Sequence, residues 1–210
     1  RPGAFLIRKR RHVEASLDDL VRMNSLSKGM SAFLEGCIAG KTNMLVAASS
    51  GALGDQIVAA LAAQVASGER VVIVQNADAI HPTHAHVVSV SASADAVRGA
   101  CLMGVDRLLL SSTASALASL SFEAIASGVH GVVVVVIANS LKQAFARLSS
   151  QITLGRPGVS AEAARECIGE SFDVAIEVGM TNGRPRMTRI AEMAGSDAKV
   201  IALSEGWAYL

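Results

Sequence analysis

Two stretches of the chain carry residues whose types and spacing could do chemistry. The first is ASSGALGDQ, residues 48–56. It follows a short apolar run, Met44 to Ala47, and opens directly into a helical pattern with Ile57, Val58, Leu61, Ala62 and Val65 on one face. Strand, glycine-bearing loop and helix in that order form the frame of a phosphate-binding loop. Its working form, GxxxxGK followed by serine or threonine, holds phosphates on backbone N–H groups and the lysine, and magnesium on the hydroxyl. Here Gly51 is present, Gly54 stands where the lysine is needed, and Asp55 stands where the hydroxyl is needed; Ser49 and Ser50 supply the loop's remaining side-chain polar atoms. A helix N-terminus offers unpaired N–H groups and a positive dipole end. Asp55 is therefore expected to accept hydrogen bonds near Ile57 or Val58, adding about 0.5–2 kcal/mol as a cap and filling the anion position from within. The plainer alternative is that Asp55 simply caps an ordinary helix. On the first reading, replacing Gly54 by lysine and Asp55 by threonine together should recover some nucleotide binding.

The second stretch is HPTHAH, where His81, His84 and His86 have a spacing that could hold a metal if extended. A surface loop entering a strand is the preferred reading. Ser49, Ser50, Ser111 and Ser112 have no His and Asp arranged nearby for nucleophilic catalysis, which leaves acyl transfer with little support. No metal or other cofactor is expected.

Positioning these residues requires a layered fold. Apolar runs at Arg70 to Gln75, Asp106 to Leu110 and Gly131 to Ala138 read as buried parallel strands, with His86 to Val90 as a further strand. Helices are expected over Asp95 to Gly104, Ala114 to Ala126 and Ser140 to Ser150, and Gly68 should end the helix that follows the loop. Ser16 and Ser27 look like caps of two earlier helices, and Phe5 to Lys9 like a lead-in strand. After the Gly155 to Gly158 loop, Ser160 should cap a helix to Phe172. A strand over Asp173 to Val178 then turns at Asn182-Gly183 into a hairpin with Arg186 to Met193. Short extended pieces at Lys199 to Leu203 and Trp207 to Leu210 close the chain. Alternating strands and helices demand right-handed crossovers and an α/β fold, a mostly parallel sheet flanked by helices with a C-terminal hairpin appendage. The expected organisation is a lead-in over residues 1–42, a core over 43–155, and a helix-and-hairpin extension of the same domain over 156–210.

Composition narrows the function classes. Among the 210 residues 51% are hydrophobic and only 3% aromatic, so the core must be built from Ala, Val, Leu and Ile. A net charge of +1 gives no general attraction to nucleic acid or anionic lipid, and the cluster Arg8, Lys9, Arg10, Arg11 reads as a solvated strand end. Cys37, Cys101 and Cys167 lie in helical patterns without metal-ligand spacing and read as small hydrophobes in a reducing cytosol. The longest apolar run is too short to cross a bilayer, no signal peptide is visible, and the first residue is Arg1, so the chain is expected to be a fragment of a cytoplasmic protein.

Several segments in sequence resemble the C-terminal motor domain of the secretion and pilus ATPases, above all the branch serving tight-adherence pili and type IV secretion. They are FLIRK, SLDDLVRMNSLSKGMSAFLEGCIAGKTNMLV, ERVVIVQNADAI, VDRLLLSS, ASGVHGVVVVVIANSLKQAFARL and DVAIEVGMTNGRPRMTRIAEMAG. The resemblance implies a RecA-like P-loop fold, hexamer assembly and, in the family, ATP hydrolysis that drives pilus assembly or secretion. It also locates departures. The family's acidic box falls on Val74, Gln75 and Asn76, with both carboxylates replaced by amides. Its catalytic glutamate falls on Ser112 and a following arginine on Ala114, its two box histidines fall on Val129 and Ile137, and its arginine-bearing loop is shortened around Ser89 to Asp95.

Phosphoryl transfer needs positive charge, magnesium and an oriented water. Losing every such group while the apolar pattern survives implies a catalytically inactive member, a structural or regulatory subunit of a bacterial pilus or secretion machine. Its partners would be copies of itself, an active paralogous ATPase, or an inner-membrane base component that could hold it peripherally at that membrane; neither nucleic-acid binding nor membrane insertion is implied. The rival readings are a sensor taking another nucleotide, such as a cyclic dinucleotide, through Arg8, Arg10, Arg11 or Arg70, and a slow ATPase. Without the N-terminal domain that supplies part of the family's ring contact, the chain is expected to be monomeric or weakly associated.

Overall fold

The computed structural model describes residues 15–76, 80–82, 84–194, 197–203 and 206–207. The Phe5 to Lys9 strand and the Arg8 to Arg11 cluster lie outside them. Among the described residues nine strands form one sheet: β1 (Met44–Ala48), β2 (Val71–Val74), β3 (Val87–Val90), β4 (Arg107–Leu110), β5 (Val133–Ile137), β6 (Val174–Thr181), β7 (Arg184–Ala194), β8 (Asp197–Leu203) and β9 (Gly206–Trp207). Their order is β3-β2-β4-β5-β1-β6-β7-β8-β9. The first six run parallel and the last three extend the same sheet antiparallel. This is an α/β fold with a mostly parallel sheet. The expected hairpin is β6 and β7, turning through Asn182 and Gly183, both at positive φ (50° and 75°) as a two-residue hairpin turn requires.

Strand residues alternate between two cores, which explains why the strand sequences are apolar on both faces. Met44, Val46, Ile73 and Val135 pack with α1 (Leu17–Arg22), α2 (Lys28–Ala39) and α3 (Gly51–Ala62). Leu45, Val72, Leu110 and Val134 pack on the other face with α4 (Ala94–Leu102), α5 (Ser121–Ala126), α6 (Leu141–Gly155) and α7 (Ala161–Ser171). The serine caps form as expected: Ser16 makes a capping box with Asp19, while Ser27 and Ser160 accept from Met30 and Ala163.

Two helix expectations need correction. α3 ends at Ala62 rather than Gly68, because Gln64 and Val65 bond back to Leu61 and Ala62, tightening the chain so that Val65 turns into the core. The segment expected as one helix over Ala114 to Ala126 is a 3₁₀ helix over Ser112–Leu120 followed by α5. Contacts from outside hold it in that tighter coil: the Asp55 carboxylate binds Ser112, the Ser115 hydroxyl accepts from the Ile137 N–H, and the Gln151 side chain accepts from the Ser119 N–H.

The ends of the sheet differ in character. At the N-terminal ends of the parallel strands Arg107, 1% exposed, donates from Nε and Nη2 to Glu69 (2.5 and 3.2 Å) and from Nη2 to the Ile38 carbonyl (2.6 Å), at the last turn of α2. Gly131, at φ 67°, lies against this guanidinium, where any Cβ would collide with it. Lys41 stands 3.8 Å from Glu69 and 3.5 Å from Asp106. The Arg107 hydrogen bond holds the Glu69 carboxyl below its ordinary value of 4.5. A lowered folded value means a stabilising contribution fully present above pH 4.5 and lost as pH falls through the folded value. Glu69→Gln should therefore be less stable than the parent at neutral pH and converge with it in acid. Urea midpoints at both pH values test this, and an equal deficit at both would contradict it.

Candidate functional site

The carboxyl ends of parallel strands are where open α/β sheets place ligands, and the loop residues Ser49 and Ser50 sit there, at the end of β1. Around them stand Gln75 and Asn76 after β2, Ser112 after β4, and Ile137 at the end of β5. Val129 does not join them. It precedes β5 at the opposite end of the sheet, buried, with its N–H donating to the Ala124 carbonyl. Arg70 is also at that far end, bonded to Asp106 and the Met103 carbonyl, so it cannot serve a ligand in the loop. In the HPTHAH segment His84 Nε2 lies 2.9 Å from the Ala66 carbonyl oxygen, and among the described residues no His, Cys, Asp and Glu gather to hold a metal.

The loop is shorter than its sequence suggests. α3 begins at Gly51, and its first intrahelical bond runs from the Gly54 N–H to the Ser50 carbonyl at 3.2 Å. Ser50 occupies the N-cap position in extended conformation (φ −147°, ψ 157°) without a side-chain cap bond, and Ser49 donates its N–H to Val178. The residues that would curl round a phosphate thus form a turn of helix. Gly51 allows the 3₁₀ segment to come close: a Cβ here would stand 2.9 Å from Ser112 Oγ. Gly54 faces the sheet, where a Cβ would stand 2.5 Å from Val135 and 3.3 Å from Ala48. The lysine position therefore points into the core, which removes the expectation that Gly54→Lys would restore a phosphate contact.

Asp55 is not the cap of its own helix. It lies in the second turn of α3, 7% exposed, and its carboxylate crosses to the 3₁₀ segment. Ser112 donates its N–H to Oδ1 and its hydroxyl to Oδ2, each at 2.9 Å. A buried carboxylate needs such donors to offset its lost hydration. Asp55 caps, but the element it caps is the one carrying the residue at the matched catalytic position. Positions 55 and 112, which the resemblance matches to the metal-binding hydroxyl and the catalytic glutamate, are thus joined to each other.

The amides at the acidic box are similarly committed. Gln75, 4% exposed, donates from Nε2 to the Ile80 carbonyl and Ser89 Oγ (both 3.0 Å) and accepts the Ile80 N–H at Oε1 (2.9 Å). An amide can both donate to and accept from one peptide group in this way, which an ionised carboxylate cannot. Asn76 accepts the Ala92 N–H, and its own N–H donates to Thr113. The loop does not fit the working form, GxxxxGK followed by serine or threonine: position 54 is turned inward with no room for a lysine, the Asp55 carboxylate is taken by Ser112, and the amides are engaged by backbone.

One neighbouring feature was not drawn from the sequence. An open cleft of about 540 Å³ runs between the 3₁₀ segment, the end of β5 and α6, lined by Ser115, Ile137, Gln143, Arg147 and Gln151 among others. Arg147 donates to the Ile137 carbonyl, and Gln151 to the Ser115 carbonyl. The signal was available: Gln143, Arg147 and Gln151 recur every four residues along one helix face.

By sequence the chain matches no family model and no curated protein. By structure it is similar to the VirB11 ATPase of the Brucella suis type IV secretion system, solved with sulphate (TM-score 0.70, 19% identity, 91% of this chain and 67% of that one). It is also similar to the Legionella pneumophila ATPase DotB (0.65, 15% identity, 87% and 52%) and to the pilus retraction motor PilT with bound ADP (0.63, 14% identity, 92% and 54%). The fold is thus that of secretion and pilus motor ATPases, and the chain spans about half the length of the latter two.

Two stability measurements follow from the geometry. Asp55→Ala should cost about 1–3 kcal/mol in denaturant unfolding, since it strips the Ser112 donors of their acceptor, while Asp55→Asn, which keeps an acceptor for the N–H, should cost less; equal losses would argue against the crossing bonds. Gly54→Lys should destabilise by about 1–3 kcal/mol through overpacking against β5, and a neutral result would mean that position 54 has room the packing denies.

Proposed function

We propose that this chain belongs to the secretion and pilus motor ATPase family as a member that has kept the fold without hydrolysing ATP, and that it acts as a structural or regulatory subunit of such a machine. The observation that carries this reading is the Asp55–Ser112 pair. In a phosphoryl-transfer site the corresponding positions hold a metal and orient a water around the phosphate. Here each satisfies the other, position 54 is packed against the sheet with no room for a side chain, and the Gln75 and Asn76 amides are used in backbone contacts. The similarity to VirB11, DotB and PilT supports the family, and the ordered anchor segments of the sequence support the branch that serves tight-adherence pili and type IV secretion.

In this role the protein works in the cytoplasm through contacts with copies of itself, with an active ATPase of the same family, or with an inner-membrane base component. No helix among the described residues is long and apolar enough to cross a membrane. Of the arginines named for the sensor reading, Arg70 is bonded at the opposite end of the sheet, and Arg8, Arg10 and Arg11 lie outside the described residues.

Calorimetric titration with Mg-ATP and Mg-ADP tests the proposal. No saturable heat is expected for either nucleotide. Micromolar, magnesium-dependent binding accompanied by phosphate release would overturn it.

A further inference from the structure

The sheet ends at β3, which among the described residues pairs with β2 alone. Along a paired strand, alternate residues turn their N–H and C=O groups to the neighbour and the others turn them away. The His86 and Val90 carbonyls accept the Val71 and Gln75 N–H groups. His86, Val88 and Val90 therefore face β2, and the backbone groups of Val87 and Ser89 face outward. Val87 packs into the core shared with α3 and Val90 into the one shared with α4, which puts Val88 on the α4 face. Val88 is 44% exposed and Ser89 is exposed beside it.

Soluble proteins keep edge strands apart with charges, proline, bulges or a cover. β3 consists of Val, Val, Ser and Val, and its register with β2 runs unbroken, so it has no charge, proline or bulge. The opposite end of the sheet is β9, two residues long, beside a stretch of β8 that carries the exposed Lys199. The edge that matches β3 in length and chemistry is β3 of a second copy. Joining β3 to the far end of another sheet would leave free edges and run on as an open chain, whereas β3 with β3 closes after two copies. The net charge of +1 opposes such a contact little.

We propose that β3 is a self-association surface, on which two copies join antiparallel about a two-fold axis at Val88. Val87 of each copy then lies opposite Ser89 of the other, and each of these pairs exchanges both of its backbone hydrogen bonds. The position between them is Val88 against Val88, a non-hydrogen-bonded pair, where side chains approach most closely. Two half-exposed valines cover each other there. The dimer locates the contact between copies named under the proposed function, yet it rests on backbone geometry rather than on the fate of ATP. Failure of the dimer leaves the nucleotide titration standing, and the reverse.

Sedimentation equilibrium combined with amide hydrogen exchange by NMR tests the surface. The dimer fraction should rise across about 10 µM to 1 mM, the range of a small and weak interface. Over the same range the Val87 and Ser89 amides should slow in exchange by about fivefold or more, as outward donors that become paired. Val88→Lys sets like charges opposite each other on the axis and should weaken dimerisation roughly tenfold or more. Position 88 is exposed, so the variant folds, and the exchange measurement needs no variant at all. A monomer throughout that range, a dimer whose Val87 and Ser89 amides exchange no more slowly than in the monomer, or equal dimerisation by Val88→Lys would each overturn the proposal.

Discussion

A carboxylate buried beside the start of a helix must be met by donors, and much of the candidate site can be understood from how Asp55 meets that demand. Its partners are the N–H and hydroxyl of Ser112, which bring the chain leaving β4 directly onto α3. That approach needs Gly51, since a side chain there would strike Ser112. It also anchors the first residue of a 3₁₀ segment that the Ile137 N–H then holds at the Ser115 hydroxyl and the Gln151 side chain at the Ser119 N–H. A short contact between two elements thus sets the local backbone on both sides.

Absence of a side chain at position 54 completes the arrangement. α3 sits close on the sheet because Gly54 places no Cβ between it and Val135. Close seating lets α3 bury nearly all its apolar residues against β1 and β5, from Leu53 through Ala62. With helix running from Gly51, the backbone donors that a phosphate loop would direct at a ligand are partly spent on intrahelical bonds. Electrostatics reinforces packing, because the only formal charge at positions 48–56 is negative.

Charged groups concentrate at the other end of the sheet. Arg107, Glu69, Lys41 and Asp106 form a connected set that ties the start of β4 to the end of α2 and to the turn before β2. Glu69 and Lys41 remain partly wet, which limits what ion pairing adds, but Arg107 is enclosed and must keep its partners. One end of the molecule is therefore fixed by ion pairs, and the end where α/β proteins place ligands by the Asp55 carboxylate bonded to Ser112, by amide hydrogen bonds and by close glycine packing.

Periodicity and turn chemistry determined the architecture. Apolar runs of four or five residues separated by amphipathic segments admit a buried parallel sheet, and Asn182-Gly183 admits a tight hairpin, because both signals are local. The serine caps were legible for the same reason. So was the absence of a lysine at position 54 and of a hydroxyl at position 55, since residue identity alone reports it. Where each remaining group points was decided only by the tertiary structure. Asp55 reads as a cap of its own helix because sequence shows neighbours along the chain, whereas its donor comes from a residue 57 positions away. Gly54 reads as a vacancy in a ligand site until the sheet is seen to fill it, and Val129 reads as part of that site until the strand direction puts it at the far end. Chemistry at a site depends on which side chains converge, and convergence is a property of the packed sheet.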